Sequence, residues 1–299
     1  MQKDKIIRGM LGENTLRFSA VSGRELVAEA RNIHGLSRTG SAALGRQLLM
    51  TALLSSDLKN KGDSVTTILS GNGAGGNMVC TGRFGGLVKG YAANPQAELP
   101  PAPNGKLFVK GFVGETGKLT VVRDMGLKEP YVGTCNLISG EIAEDFAQYL
   151  TVSEQKPSLV YLGVHENVET GEILSAGGLV LEAMPDCPDG DVEMALNLAP
   201  FVSDMALRLQ EGEELKAILG SIFGRMGIVY TEELTPAYCC DCSRERMEQA
   251  LISLGKQELT EIIAEDGQAE LVCHFCNKKY AFDKGALESL LQEATGQDV

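Results

Sequence analysis

A chain of 299 residues is long enough for one large domain, or two of unequal size, with a substantial core. Its 43% apolar and 22% charged residues are ordinary for globular proteins, which argues against wholesale disorder. The formal net charge of -13 repels phosphate backbones and argues against a general nucleic-acid binder. Apolar runs such as residues 177–181 are far shorter than the roughly 20 residues that span a bilayer. The first eight residues also lack an apolar stretch of signal-peptide length, so we expect a soluble, cytoplasmic protein that binds neither membrane nor nucleic acid.

The N-terminal part predicts a mixture of strands and helices. Residues 6–10 and 15–21 have the character of strands. Ser22 and Glu25 have the spacing of a capping box, which predicts a helix that begins there and ends at Gly35. A second, amphipathic helix is predicted to follow and to end near residue 58.

Between residues 65 and 135, short β-branched runs are separated by glycine and asparagine turns, which predicts a meander of antiparallel strands. The predicted strands are residues 65–69, 77–82, 87–91, 107–113 and 119–123. Residues 71–76 match the G-x-G-x-x-G pattern of nucleotide-binding loops, but a strand is predicted next, where such a loop needs a helix. We interpret this glycine-rich segment as a hairpin turn.

One buried helix, two strands and a run of marginal helices are predicted after residue 139. Residues 139–155 carry apolar side chains at steps of four, and strands are expected at 159–164 and 174–181. The turn-forming residues 185–190 predict a domain boundary. Residues 192–223 then predict helices, interrupted by Pro200, whose apolar faces need an outside surface to pack against. Because isolated helices of this length are marginal in water, we expect this segment to be only conditionally stable.

The eight cysteines are unevenly distributed along the chain. Cys80, Cys135 and Cys187 stand far apart, and we expect them to be small, buried hydrophobic residues. The other five lie within residues 239–276. In a reducing compartment, close cysteine pairs bind metal or do redox chemistry more often than they form structural disulfides.

Four of the clustered cysteines have the spacing of a zinc-thiolate site. Cys240 and Cys242 form a Cys-X-Cys pair, and Cys273 and Cys276 form a Cys-X-X-Cys pair. Two such pairs can converge four sulfurs on one ion, and the tetrahedral Zn-S4 site is the commonest closed site of this kind. Asn277 suits the turn after the second pair, because asparagine tolerates positive φ. Four nearby cations could offset the charge of the thiolates: Arg244, Arg246, Lys278 and Lys279.

These patterns together predict an α+β fold in three parts. The N-terminal domain of mixed sheet and helix spans residues 1–183, a helical linker spans 184–235, and a small zinc-binding domain spans 236–299. Because the last part has few aromatic residues, one bound zinc ion is expected to supply folding free energy on the order of 10 kcal/mol.

The residues alone leave three functions open for the zinc site. It could be a structural staple in a protein with an unrelated enzymatic role, or a zinc ribbon for nucleic acid, which the acidic charge disfavours. It could also be a redox switch, because two thiols as close as a Cys-X-Cys pair can join in a strained disulfide that ejects the metal. Thioredoxin-like catalysis is not expected, since no helix follows Cys276. His34 and His165 are expected to lie on the surface at element ends, and His274 to stay outside a site that four thiols already fill.

Longer motifs extend this pattern over essentially the whole chain. They are Cys240-Asp-Cys-Ser-Arg-Glu-Arg246, Ala264-Glu-Asp-Gly267, Cys273-His-Phe-Cys276, Ser139-Gly-Glu-Ile-Ala-Glu-Asp145, Ser153-Glu-Gln155 with Pro157, and Leu87-Val-Lys-Gly-Tyr91 with Asn94-Pro95. With these motifs the sequence resembles the redox-regulated thirty-three-kilodalton heat-shock chaperone family of bacteria.

The resemblance implies an ATP-independent holdase chaperone and not an enzyme. In that family the reduced protein holds zinc and is inactive, and peroxide with heat, or hypochlorite, converts the cysteine pairs to disulfides and releases the metal. The helical linker then unfolds and exposes apolar surface to unfolding client proteins, and the active form is a dimer. The implied ligands are Cys240, Cys242, Cys273 and Cys276, and the implied disulfides are Cys240 with Cys242 and Cys273 with Cys276. The N-terminal domain and the linker take the client-binding roles, without single residues being assigned.

Cys239 departs from the family pattern. It could be a bystander, could replace Cys240 as a metal ligand in a Cys-X-X-Cys arrangement with Cys242, or could divert the pairing of the disulfides that form on oxidation. The Ser-Arg-Glu-Arg run that begins directly after Cys242 favours Cys240 as the ligand.

Overall fold

The computed structural model describes residues 3–296, without the side chains of residues 295 and 296. The chain separates into two compact units, Met1–Cys239 and Cys240–Val299. Both units combine helices with antiparallel sheet, which confirms the predicted α+β class. The three-part division into residues 1–183, 184–235 and 236–299 stays a prediction. In the described part of the chain, no helix has the length and apolar character needed to cross a membrane.

The first unit contains most of the regular elements. In chain order they are β1 (Lys5–Leu11), β2 (Leu16–Ser22), α1 (Arg24–His34), α2 (Arg38–Ser55), β3 (Ser64–Gly71), β4 (Met78–Arg83), β5 (Leu87–Ala92), α3 (Val109–Val113), β6 (Gly117–Asp124), β7 (Tyr131–Asn136), α4 (Ile142–Val152), β8 (Ser158–Glu166), β9 (Ile173–Ala183), α5 (Asp189–Val202), α6 (Met205–Gln210), α7 (Leu215–Phe223), β10 (Val229–Leu234) and β11 (Ala237–Tyr238).

These strands form two sheets with α2 packed between them. One sheet has the order β10-β1-β2-β9-β8, and the other has the order β11-β5-β4-β3-β6-β7. Helix α2 contacts β2, β8 and β9 of the first sheet and β3, β4 and β5 of the second. All of its residues except Arg38 and Arg46 are buried. The prediction of an amphipathic helix was therefore wrong, because two sheets cover both sides of α2.

Helix α1 begins differently from the predicted capping box. Its N-cap position is Gly23, and no side chain of the helix start caps it. Ser22 still belongs to β2, where its hydroxyl accepts a hydrogen bond from the Lys5 amide at 3.1 Å. The Leu26 amide instead donates to the buried carboxylate of Asp4 at 2.8 Å. The cap thus comes from a residue that precedes β1, although the predicted end at Gly35 is confirmed by its left-handed conformation.

The segment predicted as a strand at residues 107–113 forms the short helix α3. This helix packs over the glycine-rich connection between β3 and β4, which are antiparallel neighbours, as the predicted hairpin requires. A Cβ added at Gly75 would lie 2.0 Å from the Phe112 ring, so only glycine allows this approach. The close packing explains the glycine run without a nucleotide.

Helices α5, α6 and α7 pack against the first sheet and form a second core with it. Met205, Leu219 and Phe223 are buried there with Phe18 and Leu179 of β2 and β9. This packing confirms that the helices need an outside surface. The proline at position 200 does not interrupt the helices as predicted, because it lies within the last turn of α5.

The segment after α7 joins both sheets as an edge strand. Strand β10 pairs antiparallel with β1, and β11 pairs parallel with β5. The Tyr238 hydroxyl donates to the Gly90 carbonyl at 2.8 Å and lies 3.1 Å from Nε2 of His34. His34 is therefore buried at the end of α1, and its predicted surface position was wrong. The Cys239 amide donates to the Val88 carbonyl of β5 at 2.7 Å, so the hydrogen bonding to β5 continues as far as the last residue of this unit.

The second unit is a hairpin with helices around it. Its elements are α8 (Arg244–Ile252), α9 (Lys256–Glu265), β12 (Gln268–Val272), β13 (Lys279–Asp283) and α10 (Lys284–Gly296). Asp283 accepts a hydrogen bond from the Ala286 amide at 2.9 Å and so caps the start of α10. Leu251, Leu259 and Phe282 lie at the centre of the small core of this unit.

Candidate metal centre

The two cysteine pairs lie on different elements of the second unit. Cys240 and Cys242 lie in the extended segment before α8, and Cys273 and Cys276 lie in the turn that joins β12 to β13. In this turn the Asn277 amide donates to the Cys273 carbonyl at 2.8 Å. Asn277 has φ of 58°, which confirms the positive φ predicted for it.

The four sulfurs converge on one point. All four Sγ atoms lie within 4.8 Å of one another, with 3.7 Å between Cys240 and Cys273 and 3.4 Å between Cys242 and Cys276. A tetrahedral Zn-S4 site with bonds of about 2.3 Å has sulfurs about 3.8 Å apart. The donor set and its spacing therefore fit a zinc ion. Each sulfur of a tetrahedron is equally close to the other three, so this geometry does not select a disulfide pairing.

Hydrogen bonds favour a thiolate at one of the four sulfurs. Burial by itself would raise the pKa of Cys242, but a hydrogen bond from the Tyr280 hydroxyl at 3.1 Å, helped by the neighbouring thiols, lowers it to about 7. Burial raises the pKa of Cys240 and that of Cys276. Donating to the Cys242 sulfur raises the pKa of Tyr280 in turn, so the phenol remains a donor. The hydrogen bond from Tyr280 therefore favours the thiolate form of Cys242.

The nearby cations mostly contact groups other than the sulfurs. Arg246 pairs with Asp241, Lys279 pairs with Glu270, and Arg244 pairs with Glu248. The Arg244 guanidinium also stacks over the Phe282 ring, and the Lys278 ammonium lies over the Tyr280 ring. These contacts neutralise carboxylates or cover aromatic rings, so the expectation that the cations offset the thiolate charge stays a prediction.

The other cysteines and the histidine of the turn lie outside the four-sulfur group. Cys239 is exposed, belongs to the first unit and is not among the converging residues. His274 is not among them either. Cys80 is fully buried, as predicted, and burial raises the pKa of its thiol well above the ordinary value. Cys135 and Cys187 are only half-buried, so the prediction of burial was wrong for these two.

The spacing of the cysteines does not reveal the role of Tyr280. Tyr280 and Phe282 are the two buried positions of β13, and Tyr280 reaches a sulfur of the other cysteine pair. The alternation of apolar residues in the strand was a signal that Tyr280 points inward. A buried tyrosine usually places its hydroxyl on a hydrogen-bond partner.

Comparison with known proteins places this arrangement in a family. The family model described as Hsp33 protein matches residues 4–283. The 33 kDa chaperonin of Caldanaerobacter subterraneus subsp. tengcongensis is 42% identical over 285 residues, which are 94% of this chain and 95% of that protein. The 33 kDa chaperonin of Clostridioides difficile is 39% identical over 294 residues, which are 97% of this chain and 99% of that protein. The crystal structure of the 33 kDa chaperonin of Thermotoga maritima, a heat shock protein 33 homologue, has a TM-score of 0.87 and 37% identity, and covers 99% of this chain and 100% of that one. The chain belongs to the Hsp33 family.

Proposed function

We propose that this protein is a cytoplasmic, ATP-independent holdase chaperone whose activity is controlled by oxidation of its cysteines, and that it is not an enzyme. The observation that carries the proposal is the convergence of four thiols within 4.8 Å of one another in a member of a family whose relatives are named chaperonins. Cys240, Cys242, Cys273 and Cys276 would hold one zinc ion in the reduced, inactive state. When bound, zinc keeps the four sulfurs as thiolates and adds folding free energy on the order of 10 kcal/mol to this small unit.

Oxidation by a peroxide supplies the signal. A cysteine thiolate attacks the peroxide, so that a sulfur–oxygen bond forms, the oxygen–oxygen bond breaks and hydroxide leaves. The thiolate of the partner cysteine then attacks the sulfenic sulfur, which forms the disulfide and releases water or hydroxide. Formation of each disulfide gives up two electrons, so Cys240 with Cys242 and Cys273 with Cys276 together reduce two peroxide molecules. The disulfide sulfurs no longer bind the ion, and the unit loses the free energy that the metal contributed.

The helices before the cysteines supply the second step. Helices α5–α7 cover the apolar face of the first sheet, where Phe18 and Leu179 are fully buried. Cys239 directly follows β11, is held to β5 by its amide, and is joined to Cys240 by a peptide bond. Unfolding of the second unit therefore acts through the chain on β11 and β10. Release of α5–α7 would uncover the second core and offer it to client proteins that expose apolar segments.

The first unit already offers apolar surface beside these helices. A mostly apolar groove of about 970 Å³ lies where α5 meets the ends of β2, β8 and β9. Leu196 and Phe201 of α5 also expose more than half of their side-chain surface. We propose that unfolding clients first contact these residues, and that the active form is a homodimer.

Zinc content, thiol state and client aggregation, measured before and after peroxide treatment, test the proposal. We expect one zinc ion per reduced chain, and one released ion with two disulfides per oxidised chain. The oxidised chain should suppress aggregation of a heat-denatured client and sediment as a dimer, whereas the reduced chain should do neither. A metal-free, oxidised chain that behaves like the reduced one would leave the zinc as a structural staple and refute the switch.

A further inference from the structure

The Tyr280 side chain links β13, the strand that follows Cys273 and Cys276, to a sulfur of the Cys240–Cys242 pair. The Tyr280 hydroxyl, on β13, lies 3.1 Å from the Cys242 Sγ atom. Tyr280 lies four residues after Cys276 but 38 residues after Cys242. The contact between its hydroxyl and the Cys242 sulfur therefore exists only in the folded unit. Residues 240–299 contain no other tyrosine.

The position of this phenol is fixed by its surroundings. Tyr280 is opposite Leu271 in the β12–β13 pairing, and only 6% of its surface is exposed. The Lys278 ammonium lies 5.1 Å from the centre of the ring. A ring held by strand register, burial and a cation has little freedom to turn its hydroxyl elsewhere.

The donors to the other sulfurs are of a different kind. The Cys240 sulfur accepts a hydrogen bond from the Cys242 amide, and the Cys276 sulfur accepts one from the Lys278 amide. These donors are backbone groups, one in the extended segment before α8 and one in the turn between β12 and β13. The hydrogen bond to Cys242 comes from a side chain, so a change of one oxygen atom removes it.

We propose that Tyr280 is a positioning residue that sets how fast Cys242 reacts with peroxides, an inference that rests on the proposed redox function. The lone pair of the Cys242 thiolate must form the new sulfur–oxygen bond while the peroxide oxygen–oxygen bond breaks and hydroxide leaves. A hydrogen bond to that sulfur stabilises the thiolate before reaction and is weakened as its charge moves to the peroxide. Cys242 is thereby oxidised and the peroxide reduced by two electrons, and Cys240 then closes the disulfide. Tyr280 protects the site at low oxidant concentration because it stabilises the thiolate more than the transition state.

The substitution Tyr280→Phe tests this role in the full-length, zinc-loaded protein. The control is Tyr131→Phe, which removes an exposed phenol of the first unit that donates to the Ser153 carbonyl at 3.4 Å. Zinc content and far-ultraviolet circular dichroism of each variant are measured first. Hydrogen peroxide is then added, zinc release is followed with a coloured chelator, and oxidised cysteines are mapped by mass spectrometry early in the reaction. Because hydrogen bonds to charged groups are the stronger ones, we expect Tyr280→Phe to speed oxidation of Cys242 about three- to tenfold, and Tyr131→Phe to change nothing.

Mapping by residue separates this role from a merely structural one. A looser fold would raise the early oxidation of all four cysteines together, whereas loss of the hydrogen bond raises that of Cys242 selectively. An unchanged or slower rate at Cys242, or an equal rise at all four sulfurs, would overturn the inference. If the unsubstituted protein binds no zinc or keeps it in peroxide, the proposed function itself fails. If the unsubstituted protein releases zinc in peroxide and Tyr280→Phe oxidises Cys242 at the same rate, only the role of Tyr280 is rejected.

Discussion

Replacing Phe223 by alanine should activate the chaperone without an oxidant. Phe223 ends α7 and is 1% exposed in the core that α5–α7 share with the first sheet. Truncating a buried phenylalanine to alanine costs about 3–5 kcal/mol. Since every 1.4 kcal/mol is a factor of ten, the equilibrium between packed and released helices should shift by roughly 140- to 3,700-fold. Phe223 belongs to the core that these helices share with the sheet, so the loss falls on the docking of the helices.

The matched control is Phe201→Ala, which removes the same side chain from α5. Phe201 is 60% exposed, so its truncation should change stability by about 0.5 kcal/mol or less. Both variants are kept reduced and zinc-loaded, and suppression of client aggregation is compared with hydrogen exchange of α7. Phe223→Ala should suppress aggregation and lose exchange protection in α7, and Phe201→Ala should do neither. Equal protection of α7 in the two variants, with no chaperone activity in either, would refute the reasoning.

Three further outcomes follow from the cysteines and from one buried carboxylate. Cys240→Ser should abolish stoichiometric zinc binding while Cys239→Ser retains one ion per chain, and elemental analysis of the purified variants would show the reverse if Cys239 were the ligand. Removal of zinc from the reduced protein by a chelator should unfold residues 240–299, seen as a loss of helical circular dichroism, and retention of the full signal would show that the metal adds little stability. Burial raises the pKa of Asp4 to about 6, against hydrogen bonds from the start of α1 that lower it. Because the pKa of Asp4 is raised in the folded protein, the group stabilises the fold below about pH 4, and this contribution is lost as the pH rises through 6. Asparagine does not titrate. The free energy of unfolding of Asp4→Asn, measured with denaturant, should therefore rise by up to about 3 kcal/mol relative to that of the unsubstituted protein between pH 4 and 7. A difference that does not change with pH would contradict this assignment.

Local patterns were enough to predict most elements of the fold and the metal-binding motif. Alternating and four-step apolar residues located the strands β1–β6, β8 and β9 and the helix α4, with ends within a few residues of the observed ones. The positive φ of Asn277 was predicted because a tight turn depends on adjacent residues. The spacing of the four cysteines identified the residues that converge, since two short pairs need only one fold-back of the chain.

The parts that could not be predicted depend on contacts between distant residues. The cap of α1 is Asp4, which lies 22 residues before the amide it accepts from. The apolar pattern at residues 107–113 suits a strand, but packing over the glycine-rich hairpin makes it a helix. Tyr280 lies 38 residues from Cys242, and the strand pattern does not predict which sulfur its hydroxyl contacts.

The motif that begins at Ser139 illustrates the same limit. Its Asp145 is fully buried, and one of its oxygens accepts from the amides of Ile138 and Ser139 at 2.8 and 3.2 Å. The motif therefore fixes the turn before α4. Its high specificity as a family marker reflects a local folding requirement, and no client or metal contact is needed to explain it.

The edge strands β10 and β11 have a consequence for the protein's own solubility. Each closes one side of a sheet, β10 on β1 and β11 on β5, through the backbone hydrogen bonds of a single neighbour. A chain that loses both strands presents two unsatisfied rows of amides and carbonyls, and such rows pair readily with other extended chains. Activation would thus make the molecule an aggregation hazard to itself. A chaperone activated in the proposed way is safest when bound client covers those rows, and without client it should return to the closed form or self-associate.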